Sequence, residues 1–298
     1  MPETTSQEKR NEKFKMEDFG EYFRQNNPET KSRAYIWAAA IGLQATDGLR
    51  TSNVLRQTAR QHIENLITMV EAKQYIRKYY EDNPATTPEK NKEQEADKVA
   101  CNIAEILFSE QEVDFSTDGY MNLHRQIFDG VYEHAGKLRN CDLFKKEWVL
   151  EKETVVYLHW EEIRIALDSN FDFKENINYQ KRRGRELVEW ISHFTAAIWH
   201  IHPFNEGNTR TTAVLTILIM RSLGYDLSTD VFADHSWYYR NALVRANYMD
   251  LDRNIHVHPE YLIRFYSNWI LGERWDLRNR YLLLHPTLNW LSQPNLAD

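Results

Sequence analysis

Apolar residues recur along most of the chain with the spacing of one helical face. Residues 32–42 favour a helix that stops near Asp47 and Gly48, because glycine readily takes the left-handed conformation that ends a helix. Further helical segments are predicted at 51–80, 95–110 and 120–138. The pattern therefore predicts a mainly α-helical protein.

Two segments are too apolar for surface helices. Residues 183–201 and 209–224 carry apolar side chains around most of the helix circumference, so we expect both helices at the centre of the fold. The helical patterns at 236–250 and 259–284 complete the set. Residues 146–160 differ, because apolar and charged residues alternate there with a period of two, which predicts a short β-hairpin.

The composition excludes several classes of protein. Of 298 residues, 42% are apolar, whereas only 10 are Gly and 8 are Pro, so a core and long helices can form. The net charge of −7 disfavours nucleic acids and anionic membranes as partners. No apolar run reaches the roughly 18 residues of a membrane span, and the N-terminus has no secretory pattern. Cys101 and Cys141 form no CxxC motif. We expect a cytoplasmic protein, and homo-oligomerisation stays open.

The polar stretch EDNPATTPEKNKEQ is the clearest boundary in the chain, because proline and charged residues interrupt the helical pattern there. The predicted parts are a polar arm at 1–30, a helical module with its linker at 31–92, a core at 93–272 and a C-terminal helical tail at 273–298.

The two central helices are joined by a loop with dense polar chemistry, IHPFNEGNTR. Gly207 and Asn208 can adopt turn conformations that direct the amides of the helix N-terminus toward one point, where they can bind an anion. Arg210 adds a guanidinium to this site. Glu206 would repel a phosphate unless it holds a Mg²⁺ that bridges the carboxylate and the phosphates. His202 can take a proton from an attacking hydroxyl near pH 7. The set indicates phosphoryl or nucleotidyl transfer.

The same residues also have an ordinary structural interpretation. His202 can cap a helix, Glu206 and Arg210 can form an ion pair at i,i+4, and Gly-Asn is a common turn. The residues alone leave both interpretations open. Among the other histidines, His256 and His258 could share a metal, although a solvated loop is the simpler interpretation.

The stretch HPFNEGNTR resembles the motif H-x-F-x-[D/E]-G-N-G-R of the Fic (filamentation, Fic/Doc) family and matches every fixed position except one. Residues 123–139 resemble the helix and turn that precede the family's flap, and residues 144–160 take the place of the flap. Residues 238–247 resemble the helix that helps to enclose the nucleotide base. The resemblance implies a Fic-fold helical bundle over roughly residues 95–272, with a short β-hairpin flap.

This resemblance implies transfer of AMP from ATP to a Ser, Thr or Tyr hydroxyl of a protein. It makes His202 the base, Glu206 the Mg²⁺ ligand and Arg210 the residue that neutralises the leaving phosphates. Contacts to the nucleotide are expected from Phe204, Gly207, Asn208, Thr209, Arg210, Tyr238 and Tyr239. The flap, around residues 143–149, is expected to dock the protein target through its main chain.

Two positions depart from the family pattern. Thr209 replaces the second motif glycine, and Ala213 stands where many members carry a second arginine that holds the γ-phosphate. These departures keep three alternatives open. The protein can be a catalytically silent module that binds a nucleotide or a partner, an enzyme that uses another nucleotide, or an enzyme that removes AMP.

Residues 38–80 resemble the antitoxin-like helical module of some family members, whose inhibitory motif is [S/T]-x-x-x-E-[G/N]. Asp47 and Gly48 are the first candidates for the inhibitory pair, and Glu64 with Asn65 is the second. Asp47 could act if it reached Arg210. The alternative is a pair of docking helices with no inhibitory role.

Overall fold

Helices dominate the computed structural model, which describes residues 19–109, 111–173 and 178–284. The α-helices are α1 (Gly20–Phe23), α2 (Pro28–Gly42), α3 (Asn53–Ile63), α4 (Met69–Asp82), α5 (Pro88–Phe108), α6 (Thr117–Ile127), α7 (Ile163–Asp172), α8 (Gly184–Ile201), α9 (Asn208–Ser222), α10 (Asp230–Asn247) and α11 (Glu260–Leu271). Short 3₁₀ turns lie at Leu43–Asp47, Trp148–Leu150, Trp160–Glu162, Asn178–Lys181 and Asn279–Leu282. The prediction of a mainly α protein is confirmed.

Local sequence determines where several helices begin. Asn27 accepts hydrogen bonds from two first-turn amides of α2. Thr68 and Glu71 form a capping box at α4. Thr87 caps α5, with Pro88 in the first turn, where the missing amide hydrogen costs nothing. Helix α5 therefore starts inside the stretch that was expected to be a linker and runs through the predicted end of the module.

Helices α8 and α9 form the centre of the fold, as their apolar sequences predicted. Most side chains of both helices are buried. Helices α7, α9, α10 and α11 pack against α8, and α6 packs against α9. None of the described helices is long and apolar enough to cross a lipid bilayer. The loop between α8 and α9 is consequently held on both sides by buried helices.

The N-terminal module packs directly on these helices. The alanine-rich end of α2 lies against α5 and α10. A Cβ atom on Gly42 would lie 2.5 Å from Cα of Ala233, so only glycine allows this approach. The Ser236 hydroxyl on α10 donates a hydrogen bond of 2.7 Å to the Gly42 carbonyl. These contacts press the turn Leu43–Asp47 against α10 and α9.

A buried carboxylate connects the module to α5. Asp97 accepts hydrogen bonds from the Ser52 amide (2.8 Å), the Ser52 hydroxyl (2.5 Å) and the Tyr80 hydroxyl (2.8 Å). Burial raises the pKa of Asp97 to about 6, although the bonds from Ser52 favour its charged form. Helices α3, α4 and α5 are thereby fixed to one another.

The predicted β-hairpin at 146–160 is wrong, since no strand occurs in the part of the chain that the structure describes. The alternating pattern is real, and the Glu147 amide donates to the Glu153 carbonyl at 2.8 Å across the turn, but other carbonyls of the segment bond to groups elsewhere in the chain. His200 Nε2 bonds to the Val156 carbonyl at 2.8 Å, and Leu284 donates its amide to the Val149 carbonyl at 3.0 Å. Glu151 and Lys152, both with positive φ, close a tight turn instead. We keep the name flap for residues 141–162, which form this irregular loop.

The two ends of the chain are described only in part. Residues 1–18 of the expected arm and 285–298 of the expected tail lie outside the described residues. The rest of the arm contains α1 and the start of α2. The described part of the tail contains a 3₁₀ turn and no α-helix, so its helical prediction is not supported there.

Candidate active site

The loop between α8 and α9 is a sharp turn held by its own side chains. Helix α8 ends at His202, which takes left-handed φ and ψ angles of 50° and 58°. The Asn208 side chain accepts a hydrogen bond from the Phe204 amide (3.0 Å) and donates one to the Phe204 carbonyl (2.7 Å). Both groups of the Asn208 amide are therefore used to shape the turn. The expected Asn208 contact to phosphate stays a prediction.

Gly207 is required by space as well as by backbone conformation. Its φ is +80°, a conformation that residues with a Cβ atom rarely adopt. A Cβ atom here would lie 2.1 Å from Cζ of Phe128, deep inside van der Waals contact. The glycine lets α9 begin directly above the Phe128 ring, and no side chain caps the first-turn amides of α9.

His202 has the form of a buried neutral base. Its Nδ1 lies 3.3 Å from the Trp199 carbonyl, a contact in which Nδ1 must be the donor. Nε2 then carries the lone pair, and this atom is buried without a hydrogen-bond partner. The Tyr157 ring stacks on the imidazole with 3.9 Å between centroids. Burial, followed by the charge of Lys145, holds the pKa of His202 well below its usual value.

Arg139 supports the same turn, and sequence reasoning gave it no role. Its backbone amide donates to the Pro203 carbonyl at 2.8 Å, and its Nε donates to the His202 carbonyl at 2.8 Å. Its other nitrogens bond to the carbonyls of Cys141 and Leu158. One buried guanidinium thereby ties the end of α8 to the flap. No local signal in the sequence marks such an arginine, because its partners are backbone groups distant in the chain.

Glu206 points its carboxylate toward the flap. The Lys145 ammonium lies 3.1 Å from Oε2 of Glu206, whose side chain keeps 49% of its surface exposed. The Glu206 carbonyl accepts a hydrogen bond of 3.0 Å from His124 Nε2. His124 Nδ1 accepts from the Gly136 amide, which fixes this tautomer, and burial lowers the pKa of His124 to about 3. The ion pair between Glu206 and Arg210 that the ordinary interpretation expects is not formed.

Arg210 is instead enclosed by the N-terminal module and α5. Its Nε lies 2.8 Å from Oδ2 of Asp47, and its terminal nitrogens donate to Gln44 and Glu95, each at 3.0 Å. The Phe128 ring lies 4.8 Å below the guanidinium. Only 1% of the Arg210 side chain is exposed. The guanidinium thus has all of its edges occupied by the protein.

Asp47 lies among several cations. Burial alone would raise its pKa, but the charges of Arg210, Lys145 and Arg240 outweigh that effect and lower the pKa. Gly48 follows with φ of +69° and ends the 3₁₀ turn, as the sequence predicted. The structure therefore brings Asp47 to Arg210, across 163 positions of sequence that pattern analysis cannot bridge.

The other residues expected to contact the nucleotide have buried side chains that bond or stack within the protein. Phe204 is buried, with its ring stacked on His124 at 3.7 Å. Thr209 accepts a hydrogen bond of 2.9 Å from Trp199 Nε1, so its hydroxyl points into the core. The structure does not bring Tyr238 and Tyr239 to the loop, because both rings are fully buried and bonded to Tyr261 and Tyr266 of α11.

The same helix presents other residues to the flap. Arg240 makes a bidentate pair with buried Glu147 at 2.6 and 3.1 Å, and its guanidinium lies 5.4 Å from the Trp237 ring. Trp237 in turn lies 6.4 Å from the Trp148 ring. The helical period explains this arrangement, because 237, 240 and 241 share a face that excludes 238 and 239. The expected nucleotide contacts of Tyr238 and Tyr239 stay a prediction.

Among the described residues, the histidines outside the loop form no further centre. His200 donates a hydrogen bond to the flap carbonyl of Val156. No group of three or more potential metal-binding His, Cys, Asp or Glu side chains occurs among residues 19–109, 111–173 and 178–284. The interpretation of His256 and His258 as a metal pair gains no support.

Comparisons with known proteins point to one family. Residues 114–220 match the model of the Fic/DOC family. The probable protein adenylyltransferase y4lH of Sinorhizobium fredii is 30% identical over 148 residues, which cover 49% of this chain and 72% of that protein. The protein adenylyltransferase VbhT of Bartonella schoenbuchensis is 24% identical over 189 residues, which cover 58% of this chain and 38% of that protein. The N-terminal Fic domain of Bep8 from Bartonella sp. 1-1C shares the fold, with a TM-score of 0.51 at 15% identity over 63% of this chain and 88% of that one.

Proposed function

The chain belongs to the Fic/DOC family, and from this premise we propose that it is a protein adenylyltransferase, which transfers AMP from ATP to a hydroxyl group of a protein. The observation that carries the proposal is the state of His202. Burial holds the pKa of its imidazole well below the usual value, its Nδ1 lies 3.3 Å from the Trp199 carbonyl, and its Nε2 has no hydrogen-bond partner.

The chemistry follows from that unpartnered nitrogen. Nε2 of His202 takes the proton of a Ser, Thr or Tyr hydroxyl while the oxygen attacks the α-phosphorus of ATP. A new phosphodiester bond forms, the bond between the α-phosphorus and the bridging oxygen breaks, and pyrophosphate leaves. A depressed pKa keeps His202 ready as a base throughout the neutral range, although it also makes the imidazole a weak one.

The phosphates have donors nearby. Helix α9 has 15 residues, and the amides of Asn208, Thr209 and Arg210 in its first turn lack intrahelical acceptors. Thr209 does not block them with its hydroxyl, which is bonded to Trp199. Glu206 supplies one half-exposed carboxylate, which suits Mg²⁺, since this ion commonly takes one or two carboxylates together with substrate phosphates and waters. When bound there, Mg²⁺ would neutralise part of the phosphate charge.

The flap is the proposed docking site for the protein target. Phe144 lies within residues 143–149 and has 81% of its surface exposed, next to Lys145 of the cleft. Glu147 and Val149, in contrast, are buried and fix the segment to the fold. An exposed apolar side chain next in sequence to Lys145, which contacts Glu206, suits contact with an incoming protein segment.

Asp47 makes this enzyme inhibited at rest. A nucleotide that used Arg210 would have to displace the Asp47 carboxylate and the Gln44 amide. Gly48 allows the turn to end directly after Asp47, so this acid stays at the edge of the site. The module therefore competes with the nucleotide for one guanidinium.

Position-specific labelling tests the proposed function. Purified protein is incubated with Mg²⁺ and ATP labelled at the α- or the γ-phosphate, alone and with cell extract as a source of targets. We expect covalent label on protein only from α-labelled ATP, and no label with His202→Ala. Label from γ-labelled ATP would indicate phosphoryl transfer instead, and nucleotide binding without any label would indicate the silent module.

A further inference from the structure

Lys145 of the flap contacts Glu206, the acid of the motif. Its ammonium lies 3.1 Å from Oε2 of Glu206, and 27% of its side chain is exposed. The ammonium is also near enough to His202 and Asp47 for its charge to lower the pKa of both. A single cation on a long side chain therefore contacts the proposed metal ligand and acts electrostatically on the proposed base and the inhibitory acid.

The other cations around the cleft are already saturated. Arg139 holds backbone carbonyls, Arg240 is paired with Glu147 through two nitrogens, and Arg210 is enclosed by three side chains. Ala213 is buried and adds no charge. The Lys145 ammonium, by comparison, has three hydrogens and the one described partner, Glu206.

The charges of the site change when a nucleotide arrives. In the resting structure Lys145 neutralises Glu206, much as a metal ion would. A metal ion on Glu206 would remove the attraction that holds the ammonium there, and a triphosphate stays anionic after it has bound one Mg²⁺. A lysine suits such an exchange, because it is a compact charge on a long flexible stem.

We propose that Lys145 is a phosphate-binding residue, whose ammonium moves from Glu206 to the β- and γ-phosphates of the bound nucleotide and supplies the charge that Ala213 lacks. This inference rests on the proposed function, since it needs a nucleotide in the cleft. In the alternative, Lys145 is only a plug, meaning a cation that competes with Mg²⁺ for Glu206 and makes no contact with the nucleotide.

Titration calorimetry with ATP, ADP and AMP at saturating Mg²⁺ tests the proposal. The parent protein carries Asp47→Asn, so that no carboxylate competes with the nucleotide for Arg210. The variants add Lys145→Ala, Lys145→Arg or Lys146→Ala to this parent. Lys146 is the matched control, an exposed neighbour of equal charge. We expect Lys145→Ala to raise the Kd for ATP roughly 10- to 100-fold, the usual effect of one charge-assisted contact, and to leave the Kd for AMP nearly unchanged. Lys145→Arg should retain most of the affinity, and Lys146→Ala all of it.

The other outcomes separate the alternatives. An unchanged or lower Kd for ATP in Lys145→Ala would show that Lys145 is only a plug, and equal losses for ATP and AMP would place it away from the β- and γ-phosphates. Either result overturns the proposal while the parent still binds ATP. A parent that binds no ATP would instead remove the proposed function, and the role of Lys145 with it. Equal melting temperatures of the unliganded variants exclude misfolding as the cause.

Discussion

The Asp47 carboxylate of the N-terminal module lies 2.8 Å from Nε of Arg210, the arginine of the His202 loop. The Arg210 side chain is almost fully buried, whereas 25% of the Asp47 side chain is exposed. Removing one partner of a buried pair leaves an unpaired charge, which is costly unless another group replaces it. A nucleotide phosphate can replace the Asp47 carboxylate. Under the proposed function, regulation and catalysis would therefore use the same cation.

Gly207→Ala should destabilise the protein more than a matched glycine substitution. Both Gly207 and Gly224 have φ near +80°, so alanine is strained at either position. Only at 207 does the new methyl group meet a ring, Phe128, whereas nothing lies within 4 Å at 224. We expect a loss of roughly 2–4 kcal/mol in the free energy of unfolding for Gly207→Ala, against about 1 kcal/mol for Gly224→Ala. Urea denaturation of the two variants measures the difference, and equal losses would contradict the close packing at Phe128.

Arg139→Lys should loosen the turn that holds His202. Lysine keeps the charge but cannot reproduce the planar fork that contacts the carbonyls of Cys141, Leu158 and His202. We expect a loss of roughly 2–3 kcal/mol in stability and a slower transfer of AMP. Arg125→Lys, at an exposed position of α6, is the control and should change stability by less than about 0.5 kcal/mol. Unaltered thermal unfolding of Arg139→Lys would show that the fork is dispensable.

Acid should weaken the packing of α2 against α3 inside the N-terminal module through His62. Burial, and then the charge of Arg33, lower the pKa of His62 to about 4, so the folded protein holds a neutral ring that accepts a hydrogen bond of 3.1 Å from Trp37. The unfolded chain takes up a proton below roughly pH 6.5. The stability due to His62 is therefore complete above that pH and is lost as the pH falls toward 4, by at most about 1.4 kcal/mol per pH unit.

Denaturation curves between pH 7 and pH 4 test this prediction. The folded pKa of Asp97 is raised to about 6, so its contribution has the opposite sign and is lost as the pH rises through 6. For this reason the comparison uses His62→Gln against the wild type, in which Asp97 is unchanged. The variant should lose stability less steeply in acid, whereas His256→Gln, at an exposed position, should follow the wild type. Parallel curves for wild type and His62→Gln would refute the role of His62.

The sequence predicted the parts of the fold and site that depend on local signals. The apolar periods of 183–201 and 209–224 predicted the buried helices α8 and α9, because a helix without a polar face must lie inside. The polar cluster between them predicted the candidate base. A local signal also predicted the left-handed conformation at Gly48, since glycine is the usual residue where a helix or turn ends in this way.

The parts that the sequence did not predict depend on distant contacts. The alternation at 146–160 is the pattern of a strand, but Arg139 and His200 bond to the backbone carbonyls of Leu158 and Val156, which a ladder would use. Glu95 and Gln44 reach Arg210 from other helices, and no spacing rule connects them to the motif. Tyr238 and Tyr239 were placed by resemblance alone, and the helical period turns both of them into the core.

The rate of AMP transfer in Asp47→Asn tests the central claim most directly. Asparagine keeps the shape of the side chain but removes the charge that holds Arg210, so the nucleotide no longer competes with a carboxylate at that position. With α-labelled ATP at a concentration below its Kd, we expect transfer roughly tenfold faster than in the wild type, since one buried ion-pair partner is released, and no transfer once His202→Ala is added. Asp82→Asn, on the exposed face of the same module, should leave the rate unchanged. Equal rates in Asp47→Asn and the wild type, both abolished by His202→Ala, would contradict the claim that the module restrains the enzyme through Arg210.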